Sequence, residues 1–297
     1  MADQSSMADA DSAGTIRSAL KARFGEELSV DDDLAGLNEL ARMASRKVNR
    51  RYLDRDVDPA LLRLLCACAL SAPSKSDLQQ ADILIIKDAE KRRILADLLP
   101  DQAWMRAAPA FLVFLANGRR LVEISKLRDK PFPNDHLDQF FNAAVDTGIV
   151  LATFLRAADA VGLGCCPISV IRDHAESVSE LLELPQRVIP VAGMRVGWPA
   201  EAGAISPRLS LASTLHQDRY DEGNLAQRID AFDRRRALTH QLSPRDPGHW
   251  GTAPFYGWSE DKAGNSASRN ARILGRSCAN GGSGSIDGES PPMLFYS

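Results

Sequence analysis

The chain has 297 residues, 44% hydrophobic and 25% charged, with a formal net charge of -3 and a pI near 6.0. That is ample core-forming material for one large domain or two small ones. The mildly acidic total weighs against nucleic acid or an anionic membrane as the main partner.

The first segment, MADQSSMADADSAG, is acidic and lacks an apolar h-region, so no signal peptide is read and the cytoplasm is the expected compartment. Residues 1 to about 14 read as an unstructured small-residue tail, followed by a short helix over 15–24. A second helix over 34–43 turns Leu37, Leu40 and Ala41 inward. Next comes the basic run Arg46, Lys47, Val48, Asn49, Arg50, Arg51 and Tyr52. It is either a solvated charge run or a phosphate clamp, since guanidinium and ammonium groups bind phosphate oxygens directly. Asp58 as N-cap and Pro59 at the first helical position open a helix through Leu61, Leu62, Leu64, Leu65, Cys68 and Ala69. The hydroxyl-rich loop 71–80 could hydrogen-bond a flat heteroaromatic ring or simply turn a helix into a strand. A strand over 83–86 and a helix over 90–99 follow. The continuous apolar run 110–115, AFLVFL, is the signature of a strand covered on both faces. Residues 118–135 form a mixed excursion with some helix over 120–126.

The stretch 134–199 organises the rest. Phe140, Phe141, Ala144, Val145, Ile149, Leu151, Ala152, Phe154, Leu155 and Ala158 recur at helical spacing around most of a circumference, which predicts a helix buried on nearly every side. Its length and the charges Asp146, Arg156 and Asp159 argue against a bilayer span. Gly162-Leu163-Gly164 stops it with a left-handed C-cap. A buried run over 165–170, an amphipathic helix carrying Val178, Leu181, Leu182 and Leu184, and a strand over 188–198 complete the scaffold. Beyond lie a Gly/Pro/Ser-rich arm over 201–211, a charged helix over 225–238, and an irregular loop over 244–257 with Trp250, Phe255 and Tyr256. Ser206-Pro207-Arg208 in the arm is a second phosphate candidate. From Gly264 onward the chain is crowded with Gly, Ser and Asn and has no periodicity.

No side-chain constellation for catalysis stands out. Cys66, Cys68, Cys165, Cys166 and Cys278 lack C-x-x-C spacing and read as small buried hydrophobes. His136, His174, His216, His240 and His249 are dispersed, and there is no metal-binding histidine pair, G-x-S-x-G elbow, Walker A or G-x-G-x-x-G motif. Neither a metal site nor a catalytic side chain is expected, so a cofactor should supply the reactivity.

The basic run 46–52, Ala72-Pro73-Ser74-Lys75-Ser76-Asp77-Leu78-Gln79, Gly162-Leu163-Gly164 with Pro167-Ile168-Ser169, Leu184-Pro185 with Gly197-Trp198-Pro199, Pro207-Arg208-Leu209 and Trp258-Ser259-Glu260 occur in one order. In that order the chain resembles the nitroreductase-like flavoproteins over about residues 34–262. It is most similar to the branch of oxygen-insensitive NADPH nitroreductases and NADPH-flavin oxidoreductases. The resemblance implies an α+β sandwich with a central, mostly antiparallel sheet flanked by helices, in an intertwined homodimer. It divides the chain into a tail and short helix (1–33), an FMN-binding core (34–218), a C-terminal excursion (219–262) and a tail without regular structure (263–297). FMN is the implied cofactor and NADPH the co-substrate. The implied reaction is ping-pong: hydride passes from NADPH to FMN N5 and on to nitroaromatic or quinone acceptors. Supply of reduced flavin to a monooxygenase and flavin binding with little turnover are the alternatives.

Carried over by position, Arg46, Lys47, Val48, Asn49 and Arg50 hold the FMN phosphate and ribityl chain, with Arg208 on the same phosphate. Ser74 and Gln102 lie near the ring. Pro167, Ile168, Ser169 and Val170 lie against the isoalloxazine with their N–H groups toward its N5/O4 edge. Val48 stands where the family usually has serine, Ser206 where lysine is common, and Ser169-Val170 where Gly-Gly is usual. Arg51 is the expected replacement for the missing lysine charge. Arg234, Arg235, Arg236 and Arg245 are either cations for the NADPH 2′-phosphate or solvated charges. Relatives continue past the Trp-Ser element with a charged helix-forming segment, so the tail from 263 is what a shifted reading frame would produce.

Overall fold

β2 (Ala110–Asn117) is the strand on which both layers of the core meet. It belongs to a computed structural model that describes residues 2–98, 108–244 and 247–266. β1 (Ala81–Ile85), β3 (Gly164–Ile168) and β4 (Val188–Gly197) complete one antiparallel sheet of order β1-β2-β4-β3. Alternation decides which layer each β2 residue joins. Ala110, Leu112 and Phe114 pack with α3 (Pro59–Leu70) and α6 (Leu137–Ala160), and Phe114 meets Phe154 edge-on at 5.7 Å. Phe111, Val113 and Leu115 pack on the other face with α4 (Ala89–Leu98), α7 (Ala175–Leu181) and the 3₁₀ turn Val170–His174. α5 (Arg119–Leu127) follows β2. The chain thus has the expected α+β architecture, with helices on both faces of an antiparallel sheet.

Local signals hold well. Asp58 caps α3, accepting from the Ala60 N–H at 2.9 Å, with Pro59 inside the first turn. α6 stops at Gly162, whose φ of +81° is the left-handed C-cap conformation. Three expectations change. α1 (Ala2–Phe24) takes in residues 2–14, which are helical rather than an unstructured tail. Ala13, Ile16 and Ala19 pack against Leu37, Ala41 and Ala44 of α2 (Leu37–Ser45), a third core that tertiary contact alone creates. Leu40 of α2 points outward, 40% exposed, because the inward face runs through Leu37, Ala41 and Ala44. Cys68 is exposed, while Cys66, Cys165 and Cys166 are buried; Cys278 lies outside the described residues.

The long helix also differs from expectation. At 24 residues α6 is long and apolar enough to cross a membrane, so length does not exclude a span. Its contacts tell a different story: Phe154, Leu155 and Ala158 lie in the sheet-covering core, and the buried Asp146 is hydrogen-bonded to a neighbouring loop. One stripe stays uncovered, with Leu137, Phe141 and Val145 between 43% and 67% exposed at i, i+4, i+8 spacing.

The arm after β4 carries a 3₁₀ turn, Leu211–Ser213. The excursion contains α8 (Leu225–Ala237), α9 (Pro247–Trp250) and α10 (Trp258–Ser266). Asp233 of α8 accepts from the Ser259 N–H at 3.1 Å and from the Ser259 hydroxyl, and Trp258 meets Phe232 edge-on at 5.1 Å. The Trp-Ser element therefore anchors α10 on α8. α10 carries helix a few residues past 263, and the remainder of the tail expected to lack structure lies outside the described residues.

Candidate cofactor site

The basic segment leaves α2 in extended conformation at Arg46 (φ -51°, ψ 136°) and lies on the start of β3. The Asn49 N–H donates to the Cys165 carbonyl at 3.2 Å, and Tyr52 bridges to Pro199. Contact is close enough to require glycine, since a Cβ on Gly164 would lie 2.7 Å from Asn49 Cβ. The Val48 backbone is similarly tight against Gly203 of the arm, at 2.9 Å from a Cβ there. The Tyr52 hydroxyl donates to the Asn49 carbonyl at 2.7 Å, and the fully buried Arg195 guanidinium sits 5.1 Å from its ring. Burial raises the Tyr52 pKa well above the normal phenol range. Burial also raises the Cys166 thiol, against the pull of Arg50, Arg195 and Arg46, so these four side chains share one neighbourhood.

Cations gather where the arm meets this segment. The Arg208 pKa is lowered by burial and then by the Arg46 charge, and that of Arg23 by burial, Arg208 and Arg46. Like charges held together in a half-buried place form an anion site. Arg51 is elsewhere: it is exposed and pairs with Glu201 at 3.4 Å. A cavity of about 500 Å³ beside the segment is lined by Arg46, Lys47 and Asn49, but also by Asp159 and Glu201. Those two carboxylates oppose phosphate there, so the cluster with Arg208 is the better anion site.

At the far end of β3, Pro167 and Ile168 finish the strand, and Ser169 and Val170 are exposed. The chain turns directly into the 3₁₀ helix, and no side chain caps it. A helix start without a side-chain cap leaves its first backbone N–H groups to water or a ligand. Five residues of β3 put about 17 Å between the cation cluster and this turn.

Ser74 lies apart from both. Its hydroxyl accepts from the Gln79 N–H at 3.2 Å, in a loop with Ser76, Asp77 and Gln79 at φ of 48°, 58° and 51°. The loop hangs on Asp146 of α6, thirteen residues before Asp159, or about 20 Å along the helix. Within one chain, then, Arg46 and Arg208 come together, Lys47 and Asn49 share a cavity wall with Arg46, Arg50 lies beside Cys166, the 167–170 segment lies one strand-length away, and Ser74 is not brought to them. Gln102 lies outside the described residues.

Sequence reasoning missed three participants. Asp146 was visible only as a charge interrupting an apolar helix. Arg195 lies inside a strand, and Arg23 lies 23 residues before the basic run with no local signal. In the excursion, Arg235 donates to the carbonyls of Arg23 (3.1 Å) and Arg208, Arg234 is exposed, and Arg236 lines a cavity of about 250 Å³ with His240, Tyr256 and Trp258. Arg245 lies outside the described residues. Among the described residues no group of three or more His, Cys, Asp or Glu could hold a metal ion.

The model described as Nitroreductase family matches residues 43–198. The chain is 33% identical over 220 residues to FMN reductase (NAD(P)H) of Bacillus subtilis, covering 72% of this chain and 88% of that protein. It is 35% identical over 184 residues to the oxygen-insensitive NADPH nitroreductase of Salmonella typhimurium, covering 60% and 74%. Among solved structures, B. megaterium NfrA2 superposes with a TM-score of 0.71 at 31% identity, over 80% of this chain and 96% of that one. NADPH:FMN oxidoreductase from Vibrio harveyi, complexed with NAD+, gives 0.71 at 26% identity, over 82% and 97%.

Proposed function

The chain belongs to the nitroreductase family, and from that premise we propose that it is a cytoplasmic FMN-dependent NAD(P)H oxidoreductase that passes electrons to nitroaromatic or quinone acceptors. One observation carries the siting of the cofactor: a cation cluster and an exposed turn without a side-chain cap, at Ser169 and Val170, stand at opposite ends of β3. That spacing fits a ligand with an anionic end and a flat polar-edged end.

Lys47, Arg46, Arg50 and Arg208 bind the phosphate and fix the cofactor's direction along β3. The N–H groups of Ser169 and Val170 orient the ring edge, where they favour negative charge. Pro167 and Val170 present apolar surface to the ring and exclude water from it. FMN supplies the two-electron hydride chemistry when bound, and the protein supplies position and field.

The functional unit is a homodimer in which Ser74 reaches the ring from the partner protomer. Its support is the exposed stripe of Leu137, Phe141 and Val145, together with Leu64 and Cys68 on α3. Uncovered apolar surface of this kind marks an interaction face. Free flavin as the acceptor is a second reading, favoured by relatives whose names are FMN reductase and NADPH-flavin oxidoreductase.

An absorbance spectrum of the purified protein tests the reading. A yellow protein, bleached by NADPH and recoloured by a nitroaromatic or quinone, is the expected result. A colourless protein that cannot be reconstituted with FMN sinks it, and release of reduced FMN in place of acceptor turnover selects the flavin-reductase reading.

A further inference from the structure

Arg23 sits at the end of α1, a helix that lies wholly outside the family-matched residues. Its guanidinium donates to the Ala44 carbonyl at 3.0 Å and the Arg46 carbonyl at 2.7 Å, both in the segment leaving α2. It also donates to the Ser206 carbonyl at 3.2 Å, in the arm. Its own carbonyl accepts from the Arg208 N–H at 2.6 Å and from Arg235 at 3.1 Å. Three residues on, Glu26 accepts from the Leu211 N–H at 2.9 Å. One turn of chain thus ties together the two segments carrying the phosphate-end cations, which are about 160 residues apart in sequence.

We propose that Arg23 is a positioning residue for the cofactor's phosphate: α1 is a clasp that holds Arg46 and Arg208 in register, and cofactor affinity depends on it. This rests on the siting of the phosphate given above. The physical case is direct. Arg46 and Arg208 repel each other, and both are carried on irregular backbone that no sheet or helix fixes. Charge-assisted bonds from one planar fork to three carbonyls set their separation before ligand arrives, so less ordering remains to be done on binding. Arg23 spends its donors on backbone, so its role is geometric, with its charge adding to the field at the site.

Titrations of the full-length apoprotein with FMN and with riboflavin, followed by flavin fluorescence quenching, test the proposal. For Arg23→Ala, FMN affinity should fall about tenfold to a hundredfold, the range for losing a charge-assisted hydrogen-bond set. Riboflavin, which lacks the phosphate, should bind as in the wild type. Arg23→Lys should recover only part of the loss, because it keeps the charge without the fork. Glu26→Ala distinguishes geometry from field: removing a negative charge should tighten FMN if only the field matters, and weaken it if the clasp holds the arm. Should Arg23→Ala fail to fold by circular dichroism, Glu26→Ala carries the test alone. Unchanged FMN affinity in Arg23→Ala, or tighter binding in Glu26→Ala, overturns the clasp if Arg208→Ala still weakens FMN. If Arg208→Ala also binds FMN like the wild type, the siting of the phosphate itself falls.

Discussion

The carboxylate of Asp146 accepts the backbone N–H of Lys75 at 2.9 Å, and through its other oxygen that of Gln80 at 3.4 Å. A buried residue in the middle of α6 therefore grips both ends of the loop that presents Ser74. Between those grips three non-glycine residues have positive φ, each costing roughly 1–2 kcal/mol in isolation. The loop keeps that shape because its ends are held. Asp146→Ala leaves two amides without their acceptor and should destabilise the fold by about 2–5 kcal/mol; Asp146→Asn, which retains one acceptor oxygen, should lose less. Urea denaturation compares them, and equal stability of wild type and Asp146→Ala would refute the assigned role.

Gly164 is where the basic segment rests on the sheet. Gly164→Ala would force Asn49 outward, costing about 1–3 kcal/mol by overpacking. The same shift moves Arg46 and Arg50, so FMN affinity should drop along with the melting temperature. Gly14→Ala is the control: nothing lies within 4 Å of its added Cβ, and it should leave FMN binding intact.

The uncovered stripe on α6 predicts an oligomeric phenotype. Phe141→Asp and Leu64→Asp should shift the protein from dimer to monomer in sedimentation velocity, and the monomers should bind FMN more weakly because Ser74 is lost from the site. Thiol labelling gives a second readout. Cys68 should react in the monomeric variants and be protected in the wild-type dimer, whereas Cys66, buried and with its thiol pKa raised to about 11, should stay unreactive in both.

His240 gives the excursion a pH dependence. Burial and then the Arg236 charge lower its pKa below the usual imidazole value of about 6.5. The unfolded chain therefore binds more protons over that window, and stability contributed by the neutral ring is lost as pH falls through about 6.5. Melting temperature should decrease from pH 7.5 to pH 5.5, and His240→Gln should flatten that decrease. An identical slope in the variant would place the dependence elsewhere.

Much of this fold was legible because its signals are local. The AFLVFL run, the Asp58-Pro59 helix start and the Gly162 stop each act within a few residues. The cation pair Arg46 and Arg208 was legible only through motif order, because nothing local joins two segments so far apart. Leu40 was misplaced inward, since periodicity gives a helix an apolar face but not the boundary where cover ends. Asp146 and Arg23 escaped because their partners are backbone groups distant in sequence, and a backbone amide or carbonyl leaves no trace in residue identity.

The strand order β1-β2-β4-β3 has a consequence for the nascent chain. β2 leaves the ribosome with β1 available on one edge, but β4, its other neighbour, begins 71 residues after the end of β2 at Asn117, at Val188. At about 5–20 residues per second, several seconds pass with AFLVFL presenting an open, uncharged edge. Such an edge invites pairing with other chains. The interval includes α6, whose Phe154 and Leu155 cover one face of that sheet in the folded chain. The helix that carries the uncovered stripe is thus also the first element made after β2 that can shield that strand's apolar face.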